Sequence, residues 1–291
     1  MRITSTMVFD RVVADIQAAQ TRLMESQERA SAQKKILRPS DDPAGTQYAL
    51  DVEWTLRQVE RYQQVAGAAQ DRLDTIDALL GKMGDLLVRA RQMAIQGAAP
   101  VPPQAQEVLA QEVAQLQAQL VDLANGEMGG RYLFAGTDEL TRPFVVVGGT
   151  LQFLGSPQVP QREVAPGTLV PVGVDAHQVI LNLYAALENL RQDLLAGDVA
   201  SLSGPRLAEL NQLEDDLLNL RTEAGAVANR MALAQDRLGA LHLNLRKILA
   251  NTVDTDLVET VLDITRYETA FQMSLQVSAR VLQHTLLDFL R

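Results

Sequence analysis

Cysteine is absent from the 291 residues. That removes disulfides, thiolate metal sites and a cysteine nucleophile from consideration. Aromatic residues are scarce, at 4%, although hydrophobic residues reach 47% and can build a core. Leucine, alanine, valine and glutamine without aromatics suit helical bundles better than a β-sandwich. No run approaches the ~18 apolar residues of a membrane-spanning helix. The opening MRITSTMVFDRVVADIQ has neither the apolar stretch nor the small-residue cleavage site of a secretory signal. Export, if it takes place, is expected to use a route that cleaves no signal. Blocks of basic residues are missing too. With 26 basic against 36 acidic residues the net charge is −10, so neither nucleic acid nor an anionic membrane is an expected partner.

Catalytic patterns are equally wanting. His177, His242 and His284 stand on separate segments with no ligand spacing between them. There is no H-E-x-x-H, no G-x-S-x-G and no G-x-G-x-x-G after a strand. Gly130 and Gly136 enclose five residues and precede Thr137-Asp138, whereas a phosphate-binding loop needs four and then Lys-Ser/Thr. Arg89 and Arg91 read as a helix face rather than an anion site. The expectation is no enzyme, no cofactor and no metal.

What the chain does have is clearest at its end, from Asp256 to Leu290. Positions 257, 261, 264, 268, 271, 275, 278, 282, 285 and 289 alternate at spacings of four and three, and seven of the ten are apolar: Leu257, Val261, Ile264, Phe271, Leu275, Leu282 and Phe289. That is the pattern of a helix that lies along another helix. Asp254 and Asp256, with Glu259 following, mark its start. From Phe271 to Leu287 the sole charged residue is Arg280, and Gln272, Ser274, Gln276, Ser278, Gln283 and Thr285 fill the polar positions. Such a face loses its water cheaply, so this helix is expected to be buried against other chains.

The start of the chain has the same character. Residues 6–36 read as helix, with Val12, Ile16, Ala19 and Leu23 on one stripe and a single charge, Arg2, before Asp10. The two ends are expected to form two halves of one coiled bundle. Between the first helix and the second stands Arg38-Pro39-Ser40-Asp41-Asp42-Pro43-Ala44-Gly45. Pro39 disfavours helix at Arg38, and Asp42-Pro43 reads as an N-cap followed by proline at the first helical position. Cap and turn account for Asp41 and Asp42 without a metal or an acid–base pair.

A long helix is predicted from Ala44 to about Gly97, roughly 80 Å if unbroken. Gly81 and Gly84 would permit a bend or a close helix approach. Pro100-Val101-Pro102-Pro103 stops it, and a third helix runs from about Gln104 to Asn125-Gly126. Eight of the 18 glycines and five of the 11 prolines then fall between Gly129 and Gly173. Runs at Arg131–Phe134, Phe144–Val147, Leu151–Phe153 and Thr168–Val170 read as strands, with Gly148-Gly149 as a hairpin turn. Helix returns at about His177 to Ala196 and from Gly204-Pro205 to about Ala250, followed by a hinge at Asn251–Asp254. The expected fold class is mainly α with a small β-rich insertion. Its divisions are 1–36, a coiled-coil segment; 37–128, helical rod; 129–175, β-rich middle domain; 176–252, returning rod; and 253–291, a second coiled-coil segment.

These blocks, in this order, resemble the bacterial flagellin superfamily, and within it the flagellin-like hook-associated proteins of the FlgL type. Met1–Met7, Arg38-Pro39-Ser40-Asp41-Asp42-Pro43-Ala44, RARQMAIQG at 89–97, Leu123–Gly126, Gly130–Thr137, Pro143-Phe144, Gly225-Ala226, Asn229-Arg230 and Leu286–Leu290 carry the resemblance. The Ser40-Asp41-Asp42-Pro43 turn and the Leu-Leu-Asp-Phe-Leu ending fit the hook–filament junction type better than a filament flagellin. Gln92 departs from flagellins, which commonly place Glu there.

The resemblance implies an elongated helical bundle whose terminal segments pair as a coiled coil on assembly. It implies export through the flagellar type III apparatus and a location in the flagellum at the hook–filament junction. Implied partners are further copies in a ring, a hook-associated protein on the hook side, flagellin on the filament side, and an export chaperone on the C-terminal segment. The expected assembly interface is Val12, Ile16, Leu23, Leu257, Val261, Ile264, Phe271, Leu275, Leu282 and Phe289, with Pro39 to Pro43 as the structural turn. A minor flagellin that forms the filament itself is the alternative. A secreted helical effector would have no reason to keep uncharged heptads at both ends.

Overall fold

The computed structural model describes residues 5–100 and 102–289, with backbone alone for 5, 6, 8 and 281–289. Seven helices and six short strands occur among them. In chain order these are α1 (Ser5–Ala32), α2 (Pro43–Ala98), α3 (Pro103–Ala124), β1 (Glu127–Met128), β2 (Arg131–Tyr132), β3 (Phe144–Val147), β4 (Thr150–Phe153), β5 (Gln161–Ala165), β6 (Thr168–Pro171), α4 (His177–Ala196), α5 (Val199–Ser203), α6 (Pro205–Val253) and α7 (Leu257–Phe289). The fold is mainly α, as the sequence predicts. The chain divides into two compact units, one of residues 1–58 with 241–291 and one of residues 59–240.

The second unit owns the core. Ile76, Leu80 and Met83 of α2, Val113 and Leu120 of α3, Ile180 and Leu187 of α4, and Leu210 and Leu217 of α6 lie in one cluster with almost no exposure. Ion pairs flank it. Arg91 Nη1 reaches Glu214 at 3.0 Å, and Arg221 grips Asp77 through two hydrogen bonds of 2.8 and 3.2 Å. Arg89 pairs with Glu112. Arg89 and Arg91 are thus paired with carboxylates on other helices.

The strands form three separate two-stranded antiparallel hairpins rather than one sheet. At β3–β4, Val147 faces Thr150 across Gly148 (φ 60°) and Gly149 (φ 85°), a turn that needs two left-handed residues and so takes glycines. Of the Arg131–Phe134 run only Arg131-Tyr132 pairs, with Glu127-Met128, while Leu133 and Phe134 turn into the core. Strand β5, with its polar Gln161-Arg162-Glu163, has too little apolar alternation to be read from sequence.

Each hairpin is fastened to helices instead of to another hairpin. Asn125 acts as a piece of strand: its amide donates to Phe144 O at 2.9 Å while its carbonyl oxygen accepts from Phe144 N at 3.0 Å. Val164, Val170 and Val172 of the third hairpin pack on Ala66, Ala69 and Leu73 of α2 and on Val227 and Met231 of α6. The glycines at 81 and 84 are not needed for a close helix approach. α2 is continuous through both; a Cβ at Gly84 would meet nothing within 4 Å, and one at Gly81 would only touch Arg221 at 3.9 Å.

Candidate assembly interface

The first unit is built on α1 paired with α7. Each turn that leads into a helix is fixed by an aspartate, because the first N–H groups of a helix have no partner of their own. Asp42 Oδ1 accepts from Gly45 N at 2.8 Å and Pro43 opens α2. Asp41 Oδ2 accepts from Leu37 N at 3.1 Å and Arg38 N at 3.0 Å, and these N–H groups, Arg38's first, hold its carboxyl below the usual carboxylate range. Asp256 Oδ1 caps α7 by accepting from Val258 N at 2.8 Å and Glu259 N at 3.4 Å.

The two connectors are also clasped to each other. Lys35 N donates to Val253 O at 2.8 Å and Thr255 N to Gln33 O at 3.1 Å, framing an antiparallel bridge between Lys34 and Asp254. Lys35 Nζ adds a bond to Asn251 O at 3.2 Å. Gln33 takes φ 56° to make this possible, a left-handed conformation unusual for a side chain that is not Gly, Asn or Asp. No local signal betrays this clasp, since its halves lie more than two hundred positions apart.

On α1, Val12, Ile16, Ala19, Leu23, Ser26 and Ala30 form the covered stripe, with Ser26 only 6% exposed. The spacing predicted for Val12, Ile16 and Leu23 is therefore the spacing of the face turned inward. On α7 the covered positions are Thr260, Ile264, Tyr267, Phe271, Ser274 and Ser278. Ile264 and Phe271 belong to this stripe as well as to the expected one. Leu257, Val261 and Leu275 do not: they stand 48%, 57% and 44% exposed. At ~100° per residue, the stripe that faces α1 is rotated by roughly 50° from the heptad line. Leu282 and Phe289 belong to the last turns of α7, whose side chains lie outside those described.

The covered stripe of α7 satisfies its own hydroxyls. Thr260 Oγ1 donates to Asp256 O at 2.7 Å, Ser274 Oγ to Phe271 O at 2.8 Å and Ser278 Oγ to Ser274 O at 2.5 Å. Bonds to the same helix leave these residues small and inert toward α1, so they fill space without fixing a partner. Many large apolar groups point elsewhere: Val258, Leu262, Met273 and Val277 of α7 are exposed with Leu257, Val261 and Leu275, as are Met7, Phe9 and Met24 of α1. Charges of the two helices converge at the root of the pair. A polar cavity of about 420 Å³ there is lined by Arg22, Glu25 and Arg29 of α1 and by Glu259 and Asp263 of α7.

Of the histidines, His177 pairs with Asp175 and stacks on Phe153 at 5.0 Å; His284 falls among the undescribed side chains. Among the described residues no group of His, Cys, Asp or Glu could hold a metal ion, and no helix is long and apolar enough to cross a membrane.

Comparison with known proteins adds both sequence and fold. Residues 3–139 match the family model of the bacterial flagellin N-terminal helical region. The flagellar hook-associated protein 3 of Escherichia coli K12 is 22% identical over an alignment covering 94% of this chain and 95% of that one. Among solved structures, Bacillus cereus FlgL superposes with a TM-score of 0.61 at 22% identity, over 69% of this chain and 99% of the other. A Vibrio parahaemolyticus structure described as a putative flagellar hook-associated protein gives 0.64 at 19%, over 74% and 100%. At these identities the structures speak to fold alone. The chain thus carries a flagellin-like N-terminal helical region and is similar, over nearly its whole length in sequence and over 69% of it in fold, to the flagellar hook-associated proteins of the FlgL type.

Proposed function

We propose that this chain is a structural, non-enzymatic component of the bacterial flagellum, exported by the flagellar type III system and needed for motility. Its subunits associate in an adaptor ring that joins the hook to the filament. One observation carries the reading: α7 leaves Leu257, Val261 and Leu275 uncovered, and from Phe271 to Leu287 its sole charge is Arg280. Burying each against a neighbour is worth ~1.5–3 kcal/mol before the entropy of ordering is subtracted. Repeated head-to-tail, such a contact closes a ring or extends a helix.

In this reading Val12, Ile16, Leu23, Ile264 and Phe271 hold the helix pair together, and the exposed residues, with Leu282 and Phe289, meet the next subunit. The terminal segments, 1–36 and 253–291, are the assembling parts, and 129–175 occupies the outer surface. Neighbours are further copies, a hook-associated protein on one face and flagellin on the other, with an export chaperone on the C-terminal segment beforehand. The flagellin-like match over residues 3–139 also supports the alternative of a minor flagellin.

Gold-labelled antibody on isolated flagella separates them. One band between hook and filament is the expected result. Label along the filament would establish the flagellin alternative, and absence from flagella would sink both.

A further inference from the structure

The cleft between α2 and the first and third hairpins gathers three arginines around one carboxylate. Arg72 and Glu139 form its floor, with side chains only 9% and 7% exposed and Nη1 3.3 Å from Oε1. Arg72 is otherwise spent on backbone, its Nε donating to Val172 O at 3.0 Å and its Nη2 to Leu133 O at 3.3 Å. Two more guanidiniums address the other carboxylate oxygen from the rim. Arg131 Nη1 lies 2.6 Å from Oε2 and Arg162 Nη2 lies 3.7 Å from it. Among the described residues these three arginines form no ion pair with any other carboxylate.

A clamp that fastens the hairpins to α2 requires one arginine. The buried pair already provides it. Arg131 and Arg162 are surplus, and they push the Arg72 guanidinium in the same direction as burial does, toward losing its proton. The cleft is left with two positive charges beyond what Glu139 neutralises, on a chain whose net charge is −10. It encloses a cavity of about 260 Å³ with apolar walls from Val65, Ala69, Met128 and Val172. Low-dielectric walls around like charges concentrate the field and weaken screening. Planar guanidinium forks match the oxygens of carboxylate and phosphate.

We propose that this cleft is an anion site in which Arg131 and Arg162 take an oxyanion, a carboxylate or phosphate group, above the Arg72–Glu139 pair. The group is either free in solution or the side-chain carboxylate of a second copy of this acidic chain.

The test is a titration of the full chain with inorganic phosphate, following arginine Nε–H signals by NMR. Arg131 and Arg162 are expected to shift saturably, at least ~tenfold more tightly than Arg57, an exposed arginine paired with Glu53. Arg162→Gln and Arg131→Gln alter half-exposed side chains, so the fold survives and affinity falls by at least ~fivefold. Shifts no tighter than those of Arg57, or unchanged binding in both variants, would overturn the proposal. Sedimentation then distinguishes the sources. Oligomers that phosphate dissociates in the wild type and that Arg162→Gln fails to form identify a second copy's carboxylate; equal behaviour of the two proteins identifies a free anion.

Discussion

The second unit and the α1–α7 pair of the first differ in what they bury most deeply. In residues 59–240 the least exposed positions are large and apolar, among them Leu80, Met83, Leu120, Ile180 and Leu187. In the α1–α7 pair the least exposed positions are Ser26, Thr260 and Ser278, while Val258, Val261, Leu262, Met273 and Val277 are more than half exposed. A region that turns its apolar groups inward is complete in itself. One that covers its hydroxyls and displays its valines and leucines has its apolar surface in place for something else. Both use long helices; only the direction of the apolar stripe differs.

The sharpest way to break this contrast is a charge on the displayed stripe. Leu275→Asp is expected to abolish assembly and motility while leaving the thermal unfolding of the free subunit within ~0.5 kcal/mol of wild type, because the position is exposed there and dry only in the proposed assembly. Motile cells carrying this variant would refute the assignment of the face; a collapsed monomer would show that Leu275 serves the subunit's own fold. In the other unit, Leu187→Ala should cost ~2–5 kcal/mol in denaturant unfolding of the subunit itself, through a cavity in a closed core. A loss under ~1 kcal/mol would mean that this core is looser than its burial implies.

Electrostatics gives a smaller test. Glu188 is held at about 2 by Arg191 first, with Gln192 and Gln117 adding hydrogen bonds, against an ordinary value of 4.5. A carboxyl lowered on folding stabilises the protein above its unfolded pKa and loses that contribution as pH falls through the folded one. Stability should therefore decline between pH 4.5 and about 2, and Glu188→Gln should flatten that decline by ~1 kcal/mol, allowing for partial exposure. An identical pH profile in the variant would deny the pairing any energetic role. Last come the caps. Asp42→Ala and Asp256→Ala should each cost ~0.5–2 kcal/mol of helix stability, read by circular dichroism melting. If the Asp256 change leaves α7 unaffected, that helix owes its start to the Gln33–Thr255 clasp instead.

Much of this was legible before any coordinates. Asp42-Pro43 predicts a capped helix start, Gly148-Gly149 a tight hairpin and Val12-Ile16-Ala19-Leu23 a covered stripe, because each depends on residues within a turn or two of one another. The β-rich insertion was readable as composition but not as three hairpins. The signal that separates one sheet from three lies in contacts such as Asn125 with Phe144, and such contacts have no spacing. Which stripe of α7 meets α1 was not legible for a related reason. A helix with apolar residues over much of its circumference has several plausible contact faces, and heptad counting selects the most hydrophobic one.

The sequence by itself determined the helices, their caps, the turn at 38–45, the low charge of both ends and the resemblance to flagellin-like proteins. All are local or compositional properties. Only the tertiary structure decided that Ser26, Thr260 and Ser278 are covered while Leu257, Val261 and Leu275 are not, that Gln33 and Thr255 lock distant connectors, and that Arg131 and Arg162 converge on Glu139. Those outcomes depend on which surfaces meet. A pattern along one helix states how much apolar surface must be covered, but the identity of what covers it is a property of the partner.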